Sequence, residues 1–192
     1  NAAVLKPSEI TAHTSAVLAE LLPKYLDTDA IALVEGGVPE TSALLEERFD
    51  HIMYTGNGSV AKVVMEAATK YLTPVTLELG GKSPCIVNRT ADIPVTARRI
   101  AWGKFMNAGQ TCIAPDYVLV DESIEEELIL ELKKSVEEFY GGETRNNADY
   151  TRIVNERHHQ RISNLMAGEE VAFGGETREE DCHIEPTVLR NV

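Results

Sequence analysis

The sequence predicts an α/β protein: a doubly wound parallel sheet over residues 1–80, then a second α/β unit over residues 81–192. Three observations carry this. Short apolar runs alternate with helix-period segments from residue 2 to residue 79. A glycine loop, Gly56-x-Gly58-x-x-Ala61, stands between a strand and a strong helical pattern. A strand with clean two-residue alternation then runs into Gly80-Gly81, where the chain turns into a new unit.

The elements follow in order. Ala2–Leu5 reads as a short buried strand stopped by Pro7, with Ser8 placed to cap the next helix. In that helix Ile10, Thr14, Val17, Leu18 and Leu21 keep helical spacing. Ile31–Val34 is a second buried strand, closed by Glu35-Gly36-Gly37. A short helix over 41–47 leads to a third strand, Ile52–Tyr54, and Thr55–Ala61 forms the glycine loop. The helix beyond it places Val60, Val63, Val64, Ala67, Ala68 and Tyr71 at helical intervals and ends before Pro74. Val75, Leu77 and Leu79 alternate with Thr76 and Glu78, so Glu78 points away from the apolar face.

In the second unit Cys85–Val87 reads as a strand, and a helix from about 93 to 106 sets Ala97, Ala101 and Phe105 on one face. Tyr117–Val120 is another strand. Ile124, Leu128, Leu132 and Val136 recur every four residues in an acidic helix whose charges form its solvated side. A last helix covers 155–166, with strands at 171–173 and 187–189. The chain starts at Asn1 and stops at what reads as a strand end, Val192, and is expected to be an internal portion of a longer protein.

Composition narrows the function. The 192 residues include 18 basic and 31 acidic side chains, a net charge of −13, which leaves no electrostatic footprint for nucleic acid or an anionic membrane. Three cysteines make no disulfide framework and fit an intracellular, reducing compartment. No Cys or His spacing suits a metal, no apolar run reaches the length of a membrane span, and no signal peptide opens the chain.

Four features carry chemistry, each beside a plainer reading. The glycine loop can bring backbone and a helix N-terminus to a pyrophosphate, or be a tight strand–helix turn. Lys6 and Glu9 flank the carboxyl edge of the first strand, where they can hold ribose hydroxyls or phosphate, or remain solvated charges at a helix start. Cys112 ends a loop of small and polar residues, Asn107, Gly109, Gln110 and Thr111, and is either a nucleophile or a small buried hydrophobe. Cys85 lies inside an apolar strand, and Cys182 sits beside Asp181 with no activating neighbour. Glu78, on a half-buried strand without an evident cation, suits a general base or is a rim residue reaching water.

Four ordered motifs tie these features together: Lys6-Pro7-Ser8-Glu9, Tyr54-Thr55-Gly56-Asn57, Leu77-Glu78-Leu79-Gly80-Gly81-Lys82-Ser83-Pro84 and Gly109-Gln110-Thr111-Cys112. With them the chain resembles the aldehyde dehydrogenase superfamily along its whole length. The stretches 73–79, 113–117, 138–141 and 173–177 resemble its class 3 branch, and within that the fatty-aldehyde (microsomal) members. The resemblance implies a Rossmann-like cofactor domain, of which residues 1–80 are the later part. Residues 81–192 are then the early part of the family's α/β catalytic domain. It implies NAD or NADP as cofactor, with Lys6 and Glu9 at the adenine ribose, Thr55, Gly56, Asn57 and Ala61 at the pyrophosphate, and Leu79 and Gly80 near the nicotinamide.

Under the same resemblance Cys112 attacks the aldehyde, a thiohemiacetal yields its hydride to the nicotinamide, and water activated by Glu78 hydrolyses the thioester. Ala61 stands where the family more often has glycine. The family's oxyanion-hole Asn and the Glu that holds the nicotinamide ribose fall outside these residues. An expected alternative is therefore that the 192 residues alone bind nucleotide without turnover. The parent enzyme is expected to oxidise medium or long aliphatic aldehydes, as a homodimer, in the cytoplasm or on the cytoplasmic face of the endoplasmic reticulum. Membrane attachment would come only through a tail outside these residues.

Overall fold

A computed structural model describes all residues, 1–192. They form two compact units, 1–79 and 80–192.

In the first unit β1 (Ala3–Leu5) pairs in parallel with β2 (Ile31–Leu33), and β3 (Ile52–Gly56) with β4 (Val75–Leu79). The two pairs are not hydrogen-bonded to one another. Between the strands run α1 (Ala12–Tyr25), α2 (Val38–Leu45) and α3 (Gly58–Ala68). Ser8 Oγ accepts from Ile10 N–H at 3.2 Å and caps a short 3-10 turn that leads into α1. The second helix starts earlier than the sequence suggests, because Pro39 suits a first turn and the Glu40 carboxylate accepts from Gly37 N–H at 2.8 Å.

Burial in this unit departs from expectation. Strand β1 is exposed along its length, and the predicted stripe of α1 stays 37–53% exposed at Ile10, Val17, Leu18 and Leu21. Lengths give the reason. A 14-residue helix is about 21 Å long, whereas a three-residue strand spans about 10 Å. The pair β1–β2 is too small to cover α1. Helix α3, about 16 Å long, matches the five-residue strands β3 and β4, on which it packs, and buries Ala61, Val64 and Ala68. Val60 and Val63, predicted on the buried face, lie outside it.

In the second unit β5 (Pro84–Val87) pairs in parallel with β6 (Tyr117–Val120). Helix α4 (Ile93–Phe105), with Asp92 Oδ1 accepting from Val95 N–H at 3.1 Å, packs along α5 (Glu125–Tyr140). Ala97, Ala101 and Phe105 of α4 and Leu128, Leu132 and Val136 of α5 bury the faces that their spacing predicts, together with Val87. Burial of each large apolar side chain contributes roughly 1.5–3 kcal/mol. Three glutamates, 125 to 127, occupy the first turn of α5, where the helix dipole favours them, and Arg190 pairs with two of these.

Helix α6 (Glu156–Met166) is capped by Asn155, whose Oδ1 accepts from His158 N–H. Strands β7 (Glu170–Phe173) and β10 (Val188–Arg190) pair antiparallel around the small hairpin β8 (Thr177–Arg178) and β9 (His183–Ile184). No helix is long and apolar enough to cross a membrane.

Candidate active site

Lys6, Thr55, Gly56, Asn57 and Leu79 lie at or just past the carboxyl ends of first-unit strands, the edge where open α/β sheets bind ligands. Just past β1, the Lys6 ammonium donates to the carbonyls of Pro7 (2.8 Å) and Gly36 (3.0 Å) and lies 3.7 Å from the Glu9 carboxylate. The Lys6 side chain is only 16% exposed, so it is a held charge and not a solvated one, while Glu9 is open to water. Pro7, Ser8, Glu9, Ser15, Glu35 and Gly36 line a cavity of about 210 Å³ there. Sequence reasoning missed Glu35 and Ser15. Glu35 had a signal, its place before two glycines at the end of β2, and Ser15 had none.

At the second pair, the register sets Thr55 beside Glu78 and Gly56 beside Leu79. Four predicted site residues thus share one sheet edge. Thr55 and Gly56 are strand residues, and the turn begins only at Asn57, because the parallel ladder with β4 continues to Leu79. Asn57 Oδ1 caps α3 by accepting from Val60 N–H at 3.0 Å. Its own N–H donates to Tyr54 Oη at 3.1 Å. A Cβ on Gly56 would collide with that hydroxyl, so glycine lets Tyr54 fold back over the loop.

The N–H groups of Gly58 and Ser59 keep no acceptor within the chain, and a side chain at Gly58 would meet only open space. That leaves a helix N-terminus that fits a phosphate. Ala61 is 2% exposed and packs inside, which serves close helix–strand contact. Glu78 is exposed, as are Leu79 and Gly80. The half-buried setting expected for Glu78 is absent, because β4 turns that face to water.

In the second unit Cys112 lies in the loop between α4 and β6 and is exposed. Ala108 (φ +48°) and Gly109 (φ +77°) reverse the chain after α4, with Gln110 N–H donating to Asn107 O at 2.9 Å. The strip 81–83 runs beside this loop. Asp116 N–H donates to Ser83 O at 2.9 Å, Lys82 pairs with Asp116, and a Cβ on Gly81 would stand 2.8 Å from the Cys112 carbonyl oxygen. Burial lowers the proton affinity of Lys104, at the end of α4, against the opposing pull of Asp116. Cys85 packs against the core, and burial pushes its thiol up, which disfavours the reactive thiolate. No three His, Cys, Asp or Glu side chains come together to hold a metal.

The chain thus presents an exposed thiol on a loop of its second unit and a helix N-terminus with free N–H groups in its first. The aldehyde dehydrogenase family model matches residues 1–192. The mouse protein "Aldehyde dehydrogenase family 3 member A2" is 55% identical over all 192 residues, and so is the mouse "Aldehyde dehydrogenase, dimeric NADP-preferring". The chain spans 40% and 42% of their lengths. Among solved structures, substrate-bound AldH of Staphylococcus aureus superposes with a TM-score of 0.94 at 45% identity, covering all of this chain and 42% of that one. An NAD+ complex of a Mycobacterium tuberculosis aldehyde dehydrogenase gives 0.87 at 28% identity, with the same coverage. Matched from end to end in sequence and in fold, this chain belongs to the aldehyde dehydrogenase family.

Proposed function

We propose that the protein oxidises aldehydes to carboxylic acids with NAD or NADP, using Cys112 as nucleophile. The observation that carries this is the Cys112 thiol: among three free cysteines it is the exposed one. Class 3 relatives, one of them named NADP-preferring and dimeric, support the cofactor and a homodimer.

Cys112 Sγ attacks the carbonyl carbon, and the oxygen that becomes charged accepts from the Cys112 backbone N–H. A bound nicotinamide cofactor would supply the hydride acceptor, and loss of hydride from that carbon would leave a thioester of Cys112. Glu78 removes a proton from water, water attacks the thioester, and the acid leaves with Cys112 restored. Lys6 and Glu9 would hold the ribose hydroxyls, and the Gly58 and Ser59 N–H groups, with Thr55, Gly56 and Asn57, would hold the pyrophosphate. Leu79 and Gly80 would lie near the nicotinamide. The class 3 stretches point to medium or long aliphatic aldehydes, handled inside the cell.

A second reading, binding without turnover by these 192 residues alone, is favoured by their spanning about two fifths of the relatives. In the full-length chain, absorbance of the reduced cofactor should rise with an aliphatic aldehyde. Cys112→Ala should abolish that rise and leave cofactor binding, read by fluorescence titration, within about twofold. Retained turnover would remove Cys112 from the reaction.

A further inference from the structure

We propose that Gln110 is the positioning residue for Cys112, bolting the loop that carries the thiol to the segment 150–154; this rests on Cys112 being the nucleophile. The exposed Cys112 side chain has no hydrogen bond of its own. Its place is therefore set by backbone, and two residues upstream the backbone is tied by a single carboxamide.

Gln110 Nε2 donates to the carbonyls of Arg152 (3.0 Å) and Asn107 (3.2 Å), and Oε1 accepts from Val154 N–H at 2.9 Å. The orientation is unambiguous, because a carbonyl can only accept and an N–H can only donate. A flipped amide would lose all three bonds. The carboxamide reaches 42 and 44 residues along the chain, and it finds a firm anchor. Ile153 N–H donates to Cys182 O at 3.0 Å, and Tyr150 Oη–H donates to Ile184 O at 3.0 Å. The Arg152 guanidinium donates to the Arg145 carbonyl, and both arginines pair with Asp181, at 3.5 and 3.1 Å. On the loop side Asn107 Nδ2 donates back to the Gln110 carbonyl at 3.2 Å, closing the turn. The carboxamide is thus a polar link between an anchored wall and the exposed turn of the loop, whose packed residues are Ala108 and Ala114 on either side of Cys112.

Geometry of this kind matters because displacement of a reacting group by about 1 Å can cost on the order of 100-fold in rate. Two variants separate positioning from mere folding. Gln110→Glu keeps the shape but sets a carboxylate against two carbonyl oxygens. Once protonated, its O–H can donate to Arg152 O while the other oxygen accepts from Val154 N–H, so acid restores the bolt. Gln110→Met keeps the volume and offers no polar atom at any pH.

In the full-length chain at about pH 7.5, both variants should lose at least about tenfold in kcat with KM for the aldehyde within about twofold. Toward about pH 5.5 the ratio of Gln110→Glu to the unsubstituted protein should recover at least about threefold, while that of Gln110→Met stays flat. The rate of Cys112 with 2,2′-dithiodipyridine, referred to Cys85, should show the same acid-dependent recovery without any turnover. Both variants within twofold of the unsubstituted kcat, or parallel losses with no recovery in Gln110→Glu, would overturn the proposal. Cys112→Ser is the separate control. If it still turns over, the nucleophile reading falls, and the thiol rate alone then decides whether Gln110 sets the position of Cys112.

Discussion

Helices α1 and α5 carry the same signature, apolar residues about four apart, yet only one stripe is buried. In α5, Leu128, Leu132 and Val136 are at most 6% exposed. In α1, Val17, Leu18 and Leu21 are all above a third exposed. Periodicity thus states which face of a helix is apolar but not whether a surface exists to receive it. Helix α5 has α4 alongside and β5–β6 beneath, and its stripe closes a continuous core with Ala97, Ala101 and Phe105. Helix α1 follows a three-residue strand that has one short partner. The second unit therefore holds most of the buried apolar surface, and the first holds two short parallel strand pairs on a thin core.

The largest loss should come from a truncation in the second core. Leu132→Ala should cost about 2–5 kcal/mol, the lost transfer energy plus the cavity left among closely packed neighbours. Urea unfolding of the second unit reads it. A cost under about 1 kcal/mol would mean that α5 is no better packed than α1.

Acid should also act on the two units unequally. His183 is 3% exposed, bonded through Nε2 to Thr144 Oγ1 at 3.1 Å, and its Nδ1 has no partner. Burial first, and then the Arg152 charge, lower its proton affinity, against Asp181, Glu176 and Glu185. The unfolded chain consequently binds the proton more readily than the folded one. Stability is present above the unfolded value of about 6.5 and is lost as pH falls through the lower folded value. The first unit has no buried histidine, since His13 and His51 are exposed. From about pH 7.5 to about pH 5.5 the unfolding midpoint of the second unit should drop, and His183→Gln should drop less. Equal slopes would show that His183 is not the group that titrates.

Much of this architecture is legible in the amino-acid sequence. The faces of α4 and α5, the strand alternation that turns Glu78 from Leu77, and the loop that presents Cys112 are all local patterns, and local patterns survive in the folded chain. What escaped was long-range. Thr55 and Gly56 read as loop because they are polar and small, but the ladder with β4 keeps them in the strand. The two-residue strands β8 and β9 are too short to show a period. Gln110 reads as one polar residue of a site-forming loop, and its partners at 152 and 154 are visible only once the chain has folded.

The smallest expected effect is the most direct test of the unequal stripes. Leu21→Ala removes an apolar side chain from α1 that is 39% exposed, against 4% for Leu132. Alanine is at least as good a helix former as leucine, so the helix itself loses nothing. No close-packed cavity is created, because water already reaches the site. The unfolding free energy should change by no more than about 0.5 kcal/mol, the range of ordinary surface substitutions. A loss approaching that of Leu132→Ala would require a surface over α1 in solution, and the contrast between the two helices would then be one of partner and not of fold.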